Sequence, residues 1–228
     1  MDFIMKRLFL LFYIGLACMT LSSSPLIGET IEVRGLAIGD KNSSKTEKYL
    51  QTQGGYQLLP FLNQQPSRSI KAYSGESLLL YEKVTTEGEL PTYQIAEKVN
   101  LPKAAKSVLI LTLDANGEES YLAVNDEFLE ASYDKWLIIN TTSKSVNFRV
   151  GADEKPFSID ANDGQICRIK SASSGSASAL GQAKWNGNMK TFYSTYWPIR
   201  EGERSIVIFI EQGNRIRVKK ISDALLKK

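Results

Sequence analysis

Hydrophobic and polar side chains alternate with a period of two along much of this chain. Val146, Phe148 and Val150 share one parity while Asn147 and Arg149 take the other, and after a charged turn at Asp153-Glu154-Lys155 the pattern resumes with Phe157 and Ile159. A strand puts successive side chains on opposite faces, so this reads as a hairpin. A second hairpin is predicted from Val108 to Leu113, a turn at Asp114-Ala115-Asn116-Gly117 and the return Tyr121 to Val124. There Asn-Gly supplies the positive φ angles of a tight turn. A third runs from Ser205 to Ile210, turns at Gln212-Gly213-Asn214 and returns over Arg215 to Lys219.

Further strands are predicted at Thr30 to Val33, Tyr56 to Leu59, Ser77 to Val84, Tyr93 to Lys98, Trp136 to Asn140 and Thr191 to Trp197. Ile31 and Val33 share a face, but Leu36 and Ile38 fall on the other parity, which predicts a bulge near Gly35 that returns both pairs to one core. Helical pattern is confined to Asp126 to Ala131 and Ser222 to Leu226, too short to organise a fold. Asp40 to Glu47, Gly88 to Pro91 and Ser171 to Gly181 read as loops, the last Ser/Ala/Gly-rich and mobile, and suited to carry specificity. The fold class expected is all-β, an antiparallel β-sandwich, immunoglobulin-like or related, over residues 28–222. No internal repeat or sharp linker stands out. One large unit or two closely packed ones both fit, with any subdivision between 100 and 132 and a basic tail at 223–228.

The first residues change the picture of where this protein works. Lys6 and Arg7, an apolar run from Leu8 to Ala17 and the small residues Ser22, Ser23 and Ser24 have the three parts of an export signal. Met5 is the expected start, and cleavage is expected after Ser22, giving a signal peptide over 1–22. Cys18 offers a rival, lipidation directly after the apolar run, although Gly15 stands where a lipobox has Leu or Val. The expected location is periplasmic or extracellular, as a secreted protein or one anchored through Cys18. No second apolar segment approaches membrane length, so no transmembrane span is expected in the mature chain.

Composition narrows the chemistry. The 228 residues contain no histidine and carry a formal net charge of +3. Histidine-based triads, histidine-ligated zinc and imidazole general bases are thereby excluded. Charges of both signs alternate, so nothing argues for nucleic acid. Only Cys167 remains after removal of the signal, which rules out an internal disulfide and leaves a core to hold the fold. Cys167 shares a strand face with Ile169 and reads as a small buried hydrophobe.

The chemistry that survives has weak candidates. Ser132-Tyr133-Asp134-Lys135 has S-x-x-K spacing, but it runs into an apolar strand without partner motifs. Glu118, Glu119, Asp126, Glu127 and Glu130 could supply a glycosidase pair, and a solvated turn explains them more simply. Asp160-Ala161-Asn162-Asp163-Gly164 resembles a calcium loop with Gly164 where a ligand belongs, and reads as a turn. Gly54-Gly55 precedes a strand and cradles no phosphate. Asn42-Ser43-Ser44 and Asn140-Thr141-Thr142 match glycosylation acceptors. No catalytic, cofactor-binding or metal residue is therefore assigned, and no cofactor is expected.

Two features are weighed as surface contacts. Arg215, Arg217 and Lys219 project from one face of the last strand, where cations also discourage edge-to-edge pairing. Trp185, Phe192, Tyr193, Tyr196 and Trp197 form an aromatic group that either fills a core or stacks on a sugar or a partner.

Trp136 to Thr142, Val146 to Gly151, Phe157 to Gly164, Tyr196-Trp197-Pro198 and the closing hairpin together resemble a loose group of uncharacterised exported bacterial proteins with all-β folds. The resemblance covers the C-terminal half and implies a fold, with no activity to transfer. The functional expectation is an exported, non-enzymatic protein acting by binding or structural assembly in a bacterial envelope, with an envelope protein or glycan as partner. The alternatives are a carboxylate-based polysaccharide hydrolase and a periplasmic subunit of a secretion or pilus-like complex.

Overall fold

In a computed structural model the chain is described over residues 29–38, 47–115, 118–130, 135–169, 175–199 and 204–223. The signal, Cys18, Asn42, Asn116-Gly117, Ser132 to Asp134 and the last five residues lie outside these. Sixteen strands and one 3-10 turn account for the regular structure among the described residues. The first eight are β1 (Glu29–Ile38), β2 (Lys48–Thr52), β3 (Gly55–Leu59), β4 (Ile70–Ser74), β5 (Ser77–Val84), β6 (Thr92–Asn100), β7 (Ser107–Ala115) and β8 (Glu118–Asn125). After the 3-10 turn at Glu127–Glu130 come β9 (Lys135–Asn140), β10 (Val146–Val150), β11 (Phe157–Ile159), β12 (Asp163–Arg168), β13 (Ser176–Trp185), β14 (Asn188–Pro198), β15 (Ser205–Gln212) and β16 (Arg215–Ser222).

The strands form four sheets of four, each paired mostly antiparallel, with the orders β3-β2-β5-β6, β4-β1-β7-β8, β12-β9-β15-β16 and β11-β10-β13-β14. Adding eight to each label of the first pair of sheets gives the second pair. The chain thus builds the same eight-stranded sandwich twice, a repeat that the sequence does not display. We call the sheets N-outer, N-inner, C-inner and C-outer in the order just given.

Three apolar layers separate the four sheets. Leu50, Leu78 and Leu80 of N-outer meet Val33, Val108 and Ile110 of N-inner. Leu36, Ile38, Leu109 and Leu111 of N-inner meet Leu137, Ile139, Ile206 and Ile208 of C-inner. Trp136, Ile138, Val207 and Phe209 of C-inner meet Phe148, Ala179 and Trp197 of C-outer. The two inner sheets are therefore covered on both faces. This explains why β7, β9 and β15 read as continuous apolar runs while β10 alternates.

It also corrects the bulge expected near Gly35. The β1–β7 register runs without a break from Glu32 opposite Ser107 to Ile38 opposite Leu113. Ile31, Val33 and Ala37 serve one apolar layer, and Leu36 and Ile38 serve the next, so the change of parity reflects two buried faces. Gly35 is required for close approach instead, because a Cβ there would lie 2.5 Å from the Pro60 carbonyl oxygen.

The expected antiparallel pairing dominates all four sheets, with β1–β7 and β9–β15 running parallel at the centre of the inner ones, while one further expectation is corrected. Ser176 to Gly181, expected within a mobile loop, belongs to β13, a central strand of C-outer paired with β10 and β14. Its inward residues Ala177, Ala179 and Ala183 are small, and the rings of Phe148 and Trp197 on the flanking strands β10 and β14 fill the space beside them. A strand built from Ala and Ser lacks the bulky alternation that marks a strand in sequence.

Candidate functional site

The deepest polar feature lies between the two inner sheets. Arg34 of β1 donates to both carboxylate oxygens of Asp126, through Nε at 2.7 Å and Nη2 at 2.9 Å, and through Nη1 to Asp223 at 3.2 Å. Arg204 pairs with Asp223 through Nη2 at 2.9 Å, donates to the Phe128 carbonyl and lies 4.3 Å from the Phe128 ring centroid. All four charged side chains are buried, two of each sign. Burial pushes the Asp126 carboxyl up, and the hydrogen bonds and charge of Arg34 pull against it. Two of these residues come from the first sandwich and two from the second. The cluster therefore acts as a bolt between them, and removing one member strands a buried charge at a cost of about 3–5 kcal/mol. Among those candidate glycosidase carboxylates whose burial is described, Asp126 is the one placed in the interior, and both of its oxygens are committed to Arg34.

The other chemical candidates resolve in the same way. Cys167 is buried in the apolar layer of the second sandwich, and burial pushes its thiol up to about 12, far from thiolate chemistry at neutral pH. Asn140 is fully buried, with its amide donating to the carbonyls of Lys144, Ile159 and Asp160. That apparent glycosylation acceptor is a turn organiser. Asp160 to Asn162 form the turn before β12, with Asn162 at φ 56°, and Asp163 and Gly164 are the first residues of that strand.

The predicted contact residues separate into four placements. Trp197 and Tyr193 belong to the second core, joined by a 2.8 Å hydrogen bond from the indole N–H to the phenol oxygen. Tyr196, 75 % exposed, stands on the solvent face of C-outer. Lys219 reaches across to the first sandwich and donates to the Asn63 carbonyl at 2.9 Å. Trp185, Arg215 and Arg217 come together around a groove of about 710 Å³ at one margin of the second sandwich. The cationic strand β16 is an edge strand of C-inner, which agrees with the edge-protection reading of its charges.

Sequence reasoning missed an aromatic surface at the opposite end of the stack. On the solvent face of N-outer, Tyr49 of β2 lies opposite Leu58 of β3 and Tyr81 of β5. Tyr56 of β3 lies opposite Gln51, Tyr81 opposite Ile95 of β6, and Lys83 opposite Tyr93. These pairings put four tyrosines from four strands on one face. Tyr56 and Tyr93 stack with centroids 4.1 Å apart and planes 10° from parallel. Tyr81 meets Tyr56 edge-on at 4.9 Å, and Tyr49 meets Tyr93 edge-on at 5.2 Å.

Tyr56 is 38 % exposed, and Leu58 and Ile95 beside it are 39 % and 60 % exposed. Polar groups fix the rings and surround them. The Tyr49 hydroxyl donates to Glu47 at 2.6 Å, a bond that pushes its pKa up to about 12, and the Tyr81 hydroxyl donates to Gln51. The sequence signal was present only as Tyr on the parity opposite Leu50, Leu59 and Leu80. Without the strand pairing, those rings are four unrelated positions.

No protein family matches this chain, and no curated protein matches it. Among the described residues no helix is long and apolar enough to cross a membrane.

Proposed function

We propose that this is an exported protein of a bacterial envelope that acts by binding, and that the tyrosine face of N-outer is the surface that takes a glycan chain. The observation that carries this reading is the parallel Tyr56–Tyr93 pair flanked by Tyr49 and Tyr81 on a solvent-facing sheet. Aromatic rings offer flat apolar faces for the C–H faces of sugars, and their edges and hydroxyls keep such a surface compatible with water. Rings that already pack on one another lose little freedom on binding, which favours affinity. Gln51 and Lys83 on the same face supply hydrogen bonds for sugar hydroxyls. Export is supported by the basic, apolar and small-residue segments of the first 24 residues.

A second reading is structural assembly, in which the same face docks a protein of the envelope. Exposed Ile95 and Leu58 favour it, because aliphatic side chains add to protein interfaces and little to sugar contacts. The two are separated by measuring retention of the purified protein on insoluble envelope polysaccharide and on neutral plant glucans, with the Tyr56→Ala/Tyr93→Ala variant alongside. The glycan reading expects retention of the parent protein and its loss in the variant. Absence of retention on every polysaccharide, with capture of an envelope protein that the variant fails to capture, replaces it with assembly.

A further inference from the structure

The groove at the margin of the second sandwich is far from the tyrosine face and has a different character. We infer that it holds a carboxylate-bearing sugar of an acidic glycan, a uronate, as a second binding site. The edge strands β14 and β16 run beside one another there. Lys190 and Trp185 line one wall, Arg215 and Arg217 the other, and none of the residues around the groove is acidic. The carboxylate on the same hairpin, Glu211, is already held by the Lys144 ammonium and by the Ser143 N–H at 2.9 Å. Lys190 and Arg215 therefore offer positive charge to an anion in a groove with no carboxylate among its lining residues. Its volume of about 710 Å³ lies within the range of small-ligand clefts.

Edge protection accounts for the cations of β14 and β16, both edge strands, but gives no reason for an indole beside them. A uronate uses both, since it offers an apolar ring face as well as a carboxylate. Trp185 is held in place by Phe192 edge-on at 6.2 Å and by the Lys144 ammonium 5.9 Å from its ring. The strand tips that bound the groove are tight. Asn186 and Gly187 form a two-residue turn with φ of 48° and 83°, closed by the Trp185–Asn188 pair, and Gln212 pairs with Arg215 across the other tip. Asn186 and Asn214, one in each turn, line the groove and bring amides for hydroxyl groups. The indole and the backbone of the two turns are thus set before a ligand arrives, which pre-organises that part of the site.

The choice of a glycan rests on the proposed function, but the site does not use the tyrosine face, and the test separates the two. Binding of the purified protein to polygalacturonate, to its methyl-esterified neutral form and to a single-stranded thymidine oligomer is measured by calorimetry, for the parent and four variants. The variants are Trp185→Ala, Lys190→Ala, Lys190→Glu/Arg215→Glu and Tyr56→Ala/Tyr93→Ala, each checked for an unchanged melting curve. Polygalacturonate is expected to bind the parent, and to bind more weakly as salt shortens the Debye length from about 30 Å to about 8 Å. Trp185→Ala is expected to weaken it about ten-fold and the charge-reversed pair more than that, with Lys190→Ala in between the parent and that pair. The tyrosine variant is expected to bind it as the parent does, whatever becomes of neutral glycans. Equal affinity for the esterified polymer, no effect of Trp185→Ala, tighter binding of the oligomer, or loss of polygalacturonate in the tyrosine variant would each overturn the assignment.

Discussion

N-outer and C-outer occupy the same place in two sandwiches of the same strand order, yet their solvent faces differ. N-outer shows Tyr49, Tyr56 and Tyr93 with Leu58 and Ile95, the rings packed around Tyr81, which is itself buried. C-outer shows Asn147 and Arg149 from β10, Ser176, Ser178, Leu180 and Gln182 from β13, and Met189, Thr191, Ser194 and the exposed ring of Tyr196 from β14. The strand order by itself does not demand a cluster of tyrosines, since the second sandwich achieves it with Ser, Thr, Gln and Arg around Leu180, Met189 and Tyr196. A solvent face free to be polar that is aromatic instead points to a surface that meets something. The repeat acts as an internal control that no relative supplies.

The largest test of this comparison removes the bolt that makes the two sandwiches one body. Asp126→Ala leaves Arg34 with a single carboxylate partner, and a loss of about 3–5 kcal/mol is expected. For a chain of this length that corresponds to roughly 10 °C in melting temperature. Calorimetry should show one transition in the parent and a broadened or split one in the variant, with the units then melting by their own stabilities. An unchanged single transition means that the apolar layer alone couples them.

A sharper test acts on the faces themselves. Tyr56→Ala/Tyr93→Ala should reduce glycan affinity at least ten-fold, about 1.4 kcal/mol, whereas Tyr196→Ala on the equivalent face should leave it within about two-fold. Equal losses from both faces would remove the distinction between the sandwiches.

A third distinguishes their response to acid. The ammonium of Lys144, with the Ser143 N–H, holds the Glu211 carboxyl down at about 2 against its ordinary 4.5. A depressed carboxyl stabilises the fold above its ordinary pKa, and that contribution disappears as pH falls from 4.5 through about 2. Lys144→Met should therefore be less stable than the parent near neutral pH, by under about 1 kcal/mol for so exposed a pair. The difference should close over that acid window, in the transition of the second sandwich. The smallest effect is chemical. Cys167, with its thiol pushed up to about 12 inside the second core, should not react with a thiol reagent at about pH 8 until that sandwich unfolds.

Much of the fold was legible where a strand has one wet face. The hairpins β10–β11 and β15–β16 follow directly from alternation and turn residues, and the all-β sandwich is borne out. Legibility failed where burial is not one-sided. In β1 the change of parity at Gly35 looked like a slip, because a reading that assumes one core has no place for a second. In β13 small residues inside a strand looked like a loop, because the volume missing from Ala177 and Ala179 is supplied by aromatic rings from other strands. The site was less legible still. Trp185, Arg215 and Arg217 could be found from local pattern, but the tyrosine face is a property of register between β2, β3, β5 and β6, which no single segment encodes.

The bolt between the sandwiches also sets a constraint in time. Arg34 reaches Asp126 across 92 positions and Asp223 across 189, so the ionic cluster stays incomplete until nearly the whole chain has emerged. By then β1 to β8 can already have closed as a sandwich, with Leu36, Ile38, Leu109 and Leu111 facing outward and nothing yet made to cover them. A half-synthesised molecule is therefore a greasy intermediate that must be kept from its neighbours. Trimming the C-terminus as far as Asp223 would return a finished molecule toward that vulnerable condition.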